Sequence, residues 1–364
     1  MKSKVNRVEI LKLLTAIALS LLIVFAIVFF ISDQPMQAIS SFLLGPLASL
    51  RRMGNIVELM IPLMFSGLAI IFIFRTGLFN LSSEGAIFTG AVVATVAALS
   101  LNLPPVLRIT VSIALAGLSG AVVAFIPGFL KVRYKANEIV TSLMLNFICL
   151  NVGLYVIHEY FLDTSINSPY SYKFDAGVGL PKILQGTRIH FGLIIVIVVL
   201  ILAWLLLNKS VFGLKSKLVG ANQKMAEYVG INSLLIILST QLIGGFVAGM
   251  GGAVELFGMY GRFQFSGLTG YGWDGIPIAI IARHQPRNLP LAALFFAYLK
   301  IGADIMARES NIPFEIVQII QAVMIIFITA QALLSGYKKK VMMQEVDRME
   351  KEATTNDWSN GPNI

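Results

Sequence analysis

An all-α, polytopic membrane protein with about ten transmembrane helices, including broken or reentrant segments, is the fold this sequence predicts. Three observations carry the prediction. Hydrophobic residues make up 57% of the 364 and charged residues 13%, against roughly 25% charged in soluble domains, and the mean hydropathy is +0.80. The apolar residues gather into runs of roughly 20, the length that crosses about 30 Å of hydrocarbon. The 28 Lys and Arg residues fall in short segments between those runs and at the two tails, so the net charge of +9 reports membrane topology and gives no reason to expect a nucleic-acid partner.

Taken in order, a basic tail at 1–12 carries Lys2, Lys4, Arg7 and Lys12 and precedes an uncharged run from Leu13 to Ile31. A cleaved signal peptide has an apolar core of about 7–15 residues and a small-residue cleavage site. This run is longer and ends Phe29-Phe30-Ile31-Ser32-Asp33, which predicts a retained first helix. Further spans fit at about 56–74, 82–101, 107–130, 138–161, 189–207, 233–257, 288–306 and 313–335, with a shorter one at about 273–283. An even number of spans puts both termini on one side. On that side lie 19 of the 28 Lys and Arg residues, which makes it cytoplasmic by the positive-inside rule. The prediction is therefore a cytoplasmic tail at 1–12, a membrane domain at 13–335 and a second cytoplasmic tail at 336–364.

Two connections are longer than turns. Residues 162–188, rich in Ser, Asn, Pro, Gly and Tyr, form an external loop able to meet a soluble partner, and residues 208–232 form a polar cytoplasmic segment. The stretch from Gly258 to Gly272 has too many glycines for a regular helix. It is expected to reenter or cap the bundle from outside, and Tyr271, Trp273 and Asp274 at its end suit a gate.

Most of the chemistry stands in Arg75-Thr-Gly-Leu-Phe-Asn-Leu-Ser-Ser-Glu-Gly85, between two apolar runs. Irregular backbone at membrane depth is tolerated only where protein or an aqueous cavity surrounds it, and intramembrane carboxylates are costly enough to imply function. The segment therefore reads as part of a solute pathway. Asn80, Glu84, Glu138 and Asn146, with Phe79 beside them, are its candidate lining, because amides and carboxylates can bond hydroxyls and base edges. Glu84 and Glu138 also begin spans, where a carboxylate can cap free amides, and Asn146 can equally bond a neighbouring helix. Both readings stay open.

On the cytoplasmic side, 215–231 has a basic lead-in, then Gly220, then Asn222 placed to cap a short helix whose Met225, Ala226 and Val229 share one face. Such a helix suits either a groove in a partner or the lipid surface. Four motifs then decide the family. Gly-Leu-Phe-Asn-Leu-Ser-Ser-Glu-Gly (77–85), Lys-Ala-Asn-Glu-Ile-Val-Thr-Ser-Leu-Met-Leu-Asn (135–146), Val-Gly-Ala-Asn-Gln-Lys-Met-Ala-Glu-Tyr-Val-Gly-Ile-Asn (219–232) and Gly-Tyr-Gly-Trp-Asp-Gly-Ile-Pro-Ile-Ala (270–279) occur in order. With them the chain resembles, over about 50–335, the permease subunits of bacterial ABC importers for simple sugars, branched-chain amino acids and, most closely, nucleosides. The first motif keeps Phe79, Asn80, Glu84 and Gly85 of the family pattern and departs from it at Leu81, Ser82 and Ser83.

The resemblance implies a type II importer architecture in the bacterial cytoplasmic (inner) membrane. It implies a separate cytoplasmic ATP-binding subunit, a second permease subunit and an external substrate-binding lipoprotein. It also assigns ATPase coupling to Gly220, Asn222, Met225, Ala226, Val229 and Gly230. The rival class is a self-sufficient secondary transporter or channel, which needs no docking helix.

Absences point the same way, since the sequence contains no phosphate-binding Gly-x-x-x-x-Gly-Lys-Ser/Thr loop, no His-Glu-x-x-His zinc motif and no nucleophile with a base. No cofactor, metal site or ATP hydrolysis is expected on this chain. His158, His190 and His284 are scattered without metal-ligand spacing, and Cys149 stands alone. Lys300 and Asp304, four apart, are expected to pair with each other. Gly244, Gly245, Ala248, Gly249 and Gly252 are expected to admit a neighbouring helix closely.

Overall fold

A computed structural model describes residues 34–166 and 168–310, with isolated positions at 22, 25, 26, 28, 29, 319 and 322. The chain divides into two units, residues 40–309 and a second made of residues 1–39 with 310–364. The spans expected near 13–31 and 313–335, and both tails, lie outside the described residues apart from those isolated positions.

Eleven α-helices are described. They are α1 (Pro35–Leu44), α2 (Leu50–Ile73), α3 (Ser83–Ser100), α4 (Pro105–Tyr134), α5 (Glu138–Tyr160), α6 (Gly192–Lys209), α7 (Val211–Ala221), α8 (Gln223–Tyr228), α9 (Ser233–Glu255), α10 (Tyr271–Ile281) and α11 (Leu289–Glu309). Seven of these, α2 to α6, α9 and α11, are long and apolar enough to cross a membrane. The structure thus has the all-α, multi-span character expected. The short span expected at 273–283 is the 11-residue α10. Helix α1 is an addition to the expected elements, and the segment 208–232 holds two helices, α7 and α8, where one was expected.

Local chemistry fixes the helix starts. Asn137, Ser210, Asn222 and Asn232 each turn a side-chain oxygen onto free amides at the first turn of α5, α7, α8 and α9. The core is α2, buried continuously from Ile61 to Ile73, with α3, α9, α10 and α11 around it and α4 packed on α9 and α3. Glycines let these helices touch backbone to backbone. A Cβ on Gly249 would sit 2.1 Å from the Ala116 carbonyl oxygen, and one on Gly252 would sit 2.0 Å from that of Ile87, so α9 lies directly on α4 and α3. By contrast α5 and α6 form the rim and leave most of their side chains exposed or half-buried.

The connecting segments gather at two ends of the 40–309 unit. At one end Leu78, Val132, Val219, Ala226 and Ile231 share an apolar cluster. At the other, Arg52 pairs with Glu309, Arg108 pairs with Asp175, and Gly54 packs on Thr187.

Candidate functional site

Helix α2 closes in a tight turn at Phe74–Thr76, Gly77 takes the left-handed conformation (φ 80°), and the chain stays irregular until α3 starts at Ser83. Interior backbone without a helix needs partners for its amides and carbonyls. Side chains of α5, of α9 and of the break itself supply them. Ser142 accepts from the Leu81 amide (3.0 Å), and Asn146 donates to the Leu81 carbonyl (3.0 Å) while accepting from the Gly85 amide (3.0 Å). Asn80 accepts from the Ser82 amide (2.9 Å) and donates to Ala124 O (2.9 Å) and to Gln241 Oε1 (2.8 Å). Gln241 in turn donates to Ile73 O (3.0 Å). Both asparagines are buried, and in this conformation their polar atoms are engaged with protein.

Glu84 is buried one residue into α3, and it reaches across to α10. Its Oε1 accepts from Thr269 Oγ1 (2.9 Å) and the Gly270 amide (2.6 Å), and its Oε2 accepts from the Gly272 amide (2.6 Å). The carboxylate therefore caps a helix, but a different one from the helix it starts, where free amides and the positive end of the α10 dipole meet it. Gly272 is required here, because a Cβ would lie 2.4 Å from the Glu84 nitrogen. Glu138 pairs with Lys131 (2.8 Å), and Phe79 is exposed with its ring edge-on to Phe74 at 5.2 Å.

Of the expected gate residues, Tyr271 donates to Glu255 Oε1 (3.0 Å), Trp273 is partly exposed, and Asp274 pairs with Lys300 of α11. This corrects the pairing expected for Lys300. Asp304 pairs instead with Arg308 (3.1 Å), because α11 turns Lys300 toward α10. The Tyr271 contact also exposes a group that the motif reading missed. Glu58 and Glu255 are buried carboxylates near each other and near Tyr260, Tyr271 and Arg188, and Glu255 Oε2 has no hydrogen-bond partner among the described residues. Their signal in the sequence was a lone carboxylate inside an apolar run.

At the clustered end, α7 is pressed against the break: a Cβ on Gly220 would sit 2.2 Å from Arg75 O. Asn222 caps α8 by accepting from the Met225 amide (3.1 Å), and Gly230 takes a left-handed turn (φ 83°) after it. Met225, Tyr228 and Val229 are 62%, 88% and 70% exposed. Ala226 is not on that face. It is buried against Val219, Ile236 and Ile237, so the expected grouping of Ala226 with Met225 and Val229 is corrected. A six-residue helix is too short for periodicity to say which side faces in.

At the opposite end the 162–188 loop folds over the bundle. Ser171 exchanges two hydrogen bonds with Phe263 (3.0 and 2.9 Å), and the Leu180 amide donates to Phe257 O (2.9 Å). Hydrogen bonds from Ser165 hold the Asp163 carboxyl in this loop below the usual range. Among the described residues no three His, Cys, Asp or Glu side chains gather as metal ligands.

Long apolar helices packed around a hydrogen-bonded interior break define a multi-pass α-helical membrane protein. The chain belongs to the family of branched-chain amino acid transport system permease components, whose profile matches residues 52–329. Three relatives fix its neighbourhood. It is 32% identical to the guanosine ABC transporter permease protein NupP of Bacillus subtilis, over 76% of this chain and 80% of that one. It is 29% identical to the glucose ABC transporter permease protein TsgB13 of Haloferax volcanii (84% and 83%), and 28% identical to the nucleoside ABC transporter permease protein NupB of Lactococcus lactis (83% and 85%).

Proposed function

We propose that this chain is the transmembrane permease subunit of an ATP-driven importer that carries nucleosides across the bacterial cytoplasmic membrane. The geometry that carries the reading is the placement of α7 and α8 between an exposed apolar face and the break. Met225, Tyr228 and Val229 offer the face to a cytoplasmic ATP-binding subunit. Behind them, Ala226 and Val219 rest on Leu78, and Gly220 rests on Arg75. A push on α8 is thereby delivered to 75–81, and from there through Glu84 to the start of α10. The pathway candidates Asn80, Glu84 and Asn146 form the clamps of this linkage, and they act on the solute pathway from behind it.

ATP hydrolysis belongs to the separate subunit, since this sequence has no phosphate-binding loop. A second permease subunit completes the pathway, and an external binding lipoprotein delivers cargo to the end capped by the 162–188 loop. The proposal counts ten spans, namely the seven long helices, the short α10 and the spans expected at 13–31 and 313–335, with the irregular stretches at 77–82 and 261–270 as its broken segments and both termini cytoplasmic. The guanosine and nucleoside relatives support the cargo class. The glucose relative favours a second cargo, a simple sugar, which shares the polyol of ribose.

Uptake of labelled guanosine into cells expressing the chain with its ATPase, second permease and binding protein tests the reading. Competition by unlabelled nucleosides but not by glucose or ribose is expected. Competition by the sugars alone would transfer the cargo to the second reading, and uptake independent of the ATPase would overturn the importer.

A further inference from the structure

Helices α5 and α6 both bury few of their side chains, yet their exposed faces differ in chemistry. On α6 every exposed side chain from Ile194 to Leu205 is Ile, Val or Leu, which is what hydrocarbon selects. On α5 the exposed side chains from Met144 to Tyr155 are Met144, Phe147, Ile148, Asn151, Val152 and Tyr155. Met144, Phe147, Asn151 and Tyr155 follow one another at intervals of three or four residues, so they form a single stripe. Asn151 stands 13 residues from the start of α5, about 20 Å along its axis. That places an exposed amide near the middle of a span, where lipid would penalise it. Its Nδ2 donates to Phe147 O (2.8 Å), which leaves the second amide hydrogen and the carbonyl oxygen facing outward.

We propose that this stripe is the nucleobase-reading surface of the solute pathway. Phe147 and Tyr155 offer aromatic faces for a base to stack on. Asn151 lies between them and can pair its donor and acceptor with adjacent groups on the base edge, as carboxamides do with purines. The opposite face of the same helix does a different job, since Ser142 and Asn146 point inward and hold the break at Leu81 and Gly85. Cargo selection and the support of the broken segment thus occupy two sides of α5. The inference rests on the nucleoside reading above.

The experiment is uptake by the complete transporter in cells without other nucleoside carriers, using inosine, purine riboside and uridine at saturating concentrations. These differ only in the base, and purine riboside lacks the group at position 6. Asn151→Leu, which suits a lipid-facing position, should lower the maximal rate for inosine about tenfold relative to purine riboside, because inosine, with its N1–H and 6-oxo group, loses both a donor and an acceptor contact whereas purine riboside loses at most one. Asn151→Ser gives a second, smaller test if the leucine variant is not recovered in the membrane, and should shift the same ratio in the same direction. Ratios unchanged in the recovered variants would overturn the proposal, whether all rates are kept, as at a lipid-facing site, or fall together, as at a subunit interface. If the wild-type transporter takes up none of the three nucleosides, the nucleoside reading itself fails, and the stripe's assignment fails with it.

Discussion

Asn146 is the residue whose role the structure defines most sharply, since one carboxamide satisfies both the carbonyl of Leu81 and the amide of Gly85. Removing it leaves two interior backbone groups unpaired, at a cost of about 1–3 kcal/mol each. Asn146→Ala should therefore lower the thermal stability of the purified protein in detergent. Asn146→Asp, whose ionised form keeps the acceptor for Gly85 but buries an unpaired charge against the Leu81 carbonyl, should also be less stable than wild type. Equal stability of all three would contradict the clamp. A second residue-scale prediction concerns Lys300. Its removal strands Asp274, which is largely buried, so Lys300→Met should destabilise by about 2 kcal/mol, whereas Arg308→Ala, next to the exposed part of Asp304, should cost less than about 0.5 kcal/mol. A chemical-denaturation midpoint for each variant decides between this pairing and a Lys300–Asp304 pair.

At the scale of elements, α8 separates two kinds of substitution. Tyr228→Glu with Val229→Glu alters an exposed face and should leave thermal stability unchanged while abolishing recovery of the ATP-binding subunit in a pull-down. Ala226→Arg drives a charge into the cluster of Val219, Ile236 and Ile237 and should destabilise the permease itself by several kcal/mol, of the order expected for a buried unpaired charge. Similar behaviour of the two variants would show that α8 does not have the two faces described. Packing between α9 and its neighbours is equally testable. Gly249→Ala and Gly252→Ala each place a methyl group against a backbone carbonyl, so each should cost about 1–3 kcal/mol.

The elements also show what the sequence could disclose. Spans of about 20 apolar residues are legible because the bilayer sets their length, and the break at 77–82 is legible because Gly77, Asn80 and two serines have no place on a lipid-facing helix. Pro35–Leu44 has ten residues, too few for that length signal. The Asp274–Lys300 pair joins two helices, whereas spacing rules within one helix could offer only Asp304 as partner. Glu58 and Glu255 are hidden for the same reason, since Arg188 beside Glu58 and Tyr271 beside Glu255 stand on other elements. Glu84 was legible as a capping carboxylate, but the helix it caps begins 187 residues later, at Tyr271.

For the whole molecule, the described connections lie at two ends, and the distribution of basic residues predicts which membrane side each end faces. Residue 217 should be labelled only from the cytoplasm and residue 172 only from outside, after single cysteines are introduced with Cys149 replaced. Labelling of 217 from outside would invert the topology. The central claim is that this chain passes cargo only when a separate ATPase drives it through α8, and reconstitution tests it most directly. In proteoliposomes holding the permease, its permease partner and the ATP-binding subunit, with the loaded binding protein supplied, guanosine should accumulate only with ATP and should fail to accumulate with the Tyr228→Glu, Val229→Glu variant. Guanosine flux through the purified chain alone in vesicles without ATP would contradict the account and place the protein among self-sufficient transporters or channels.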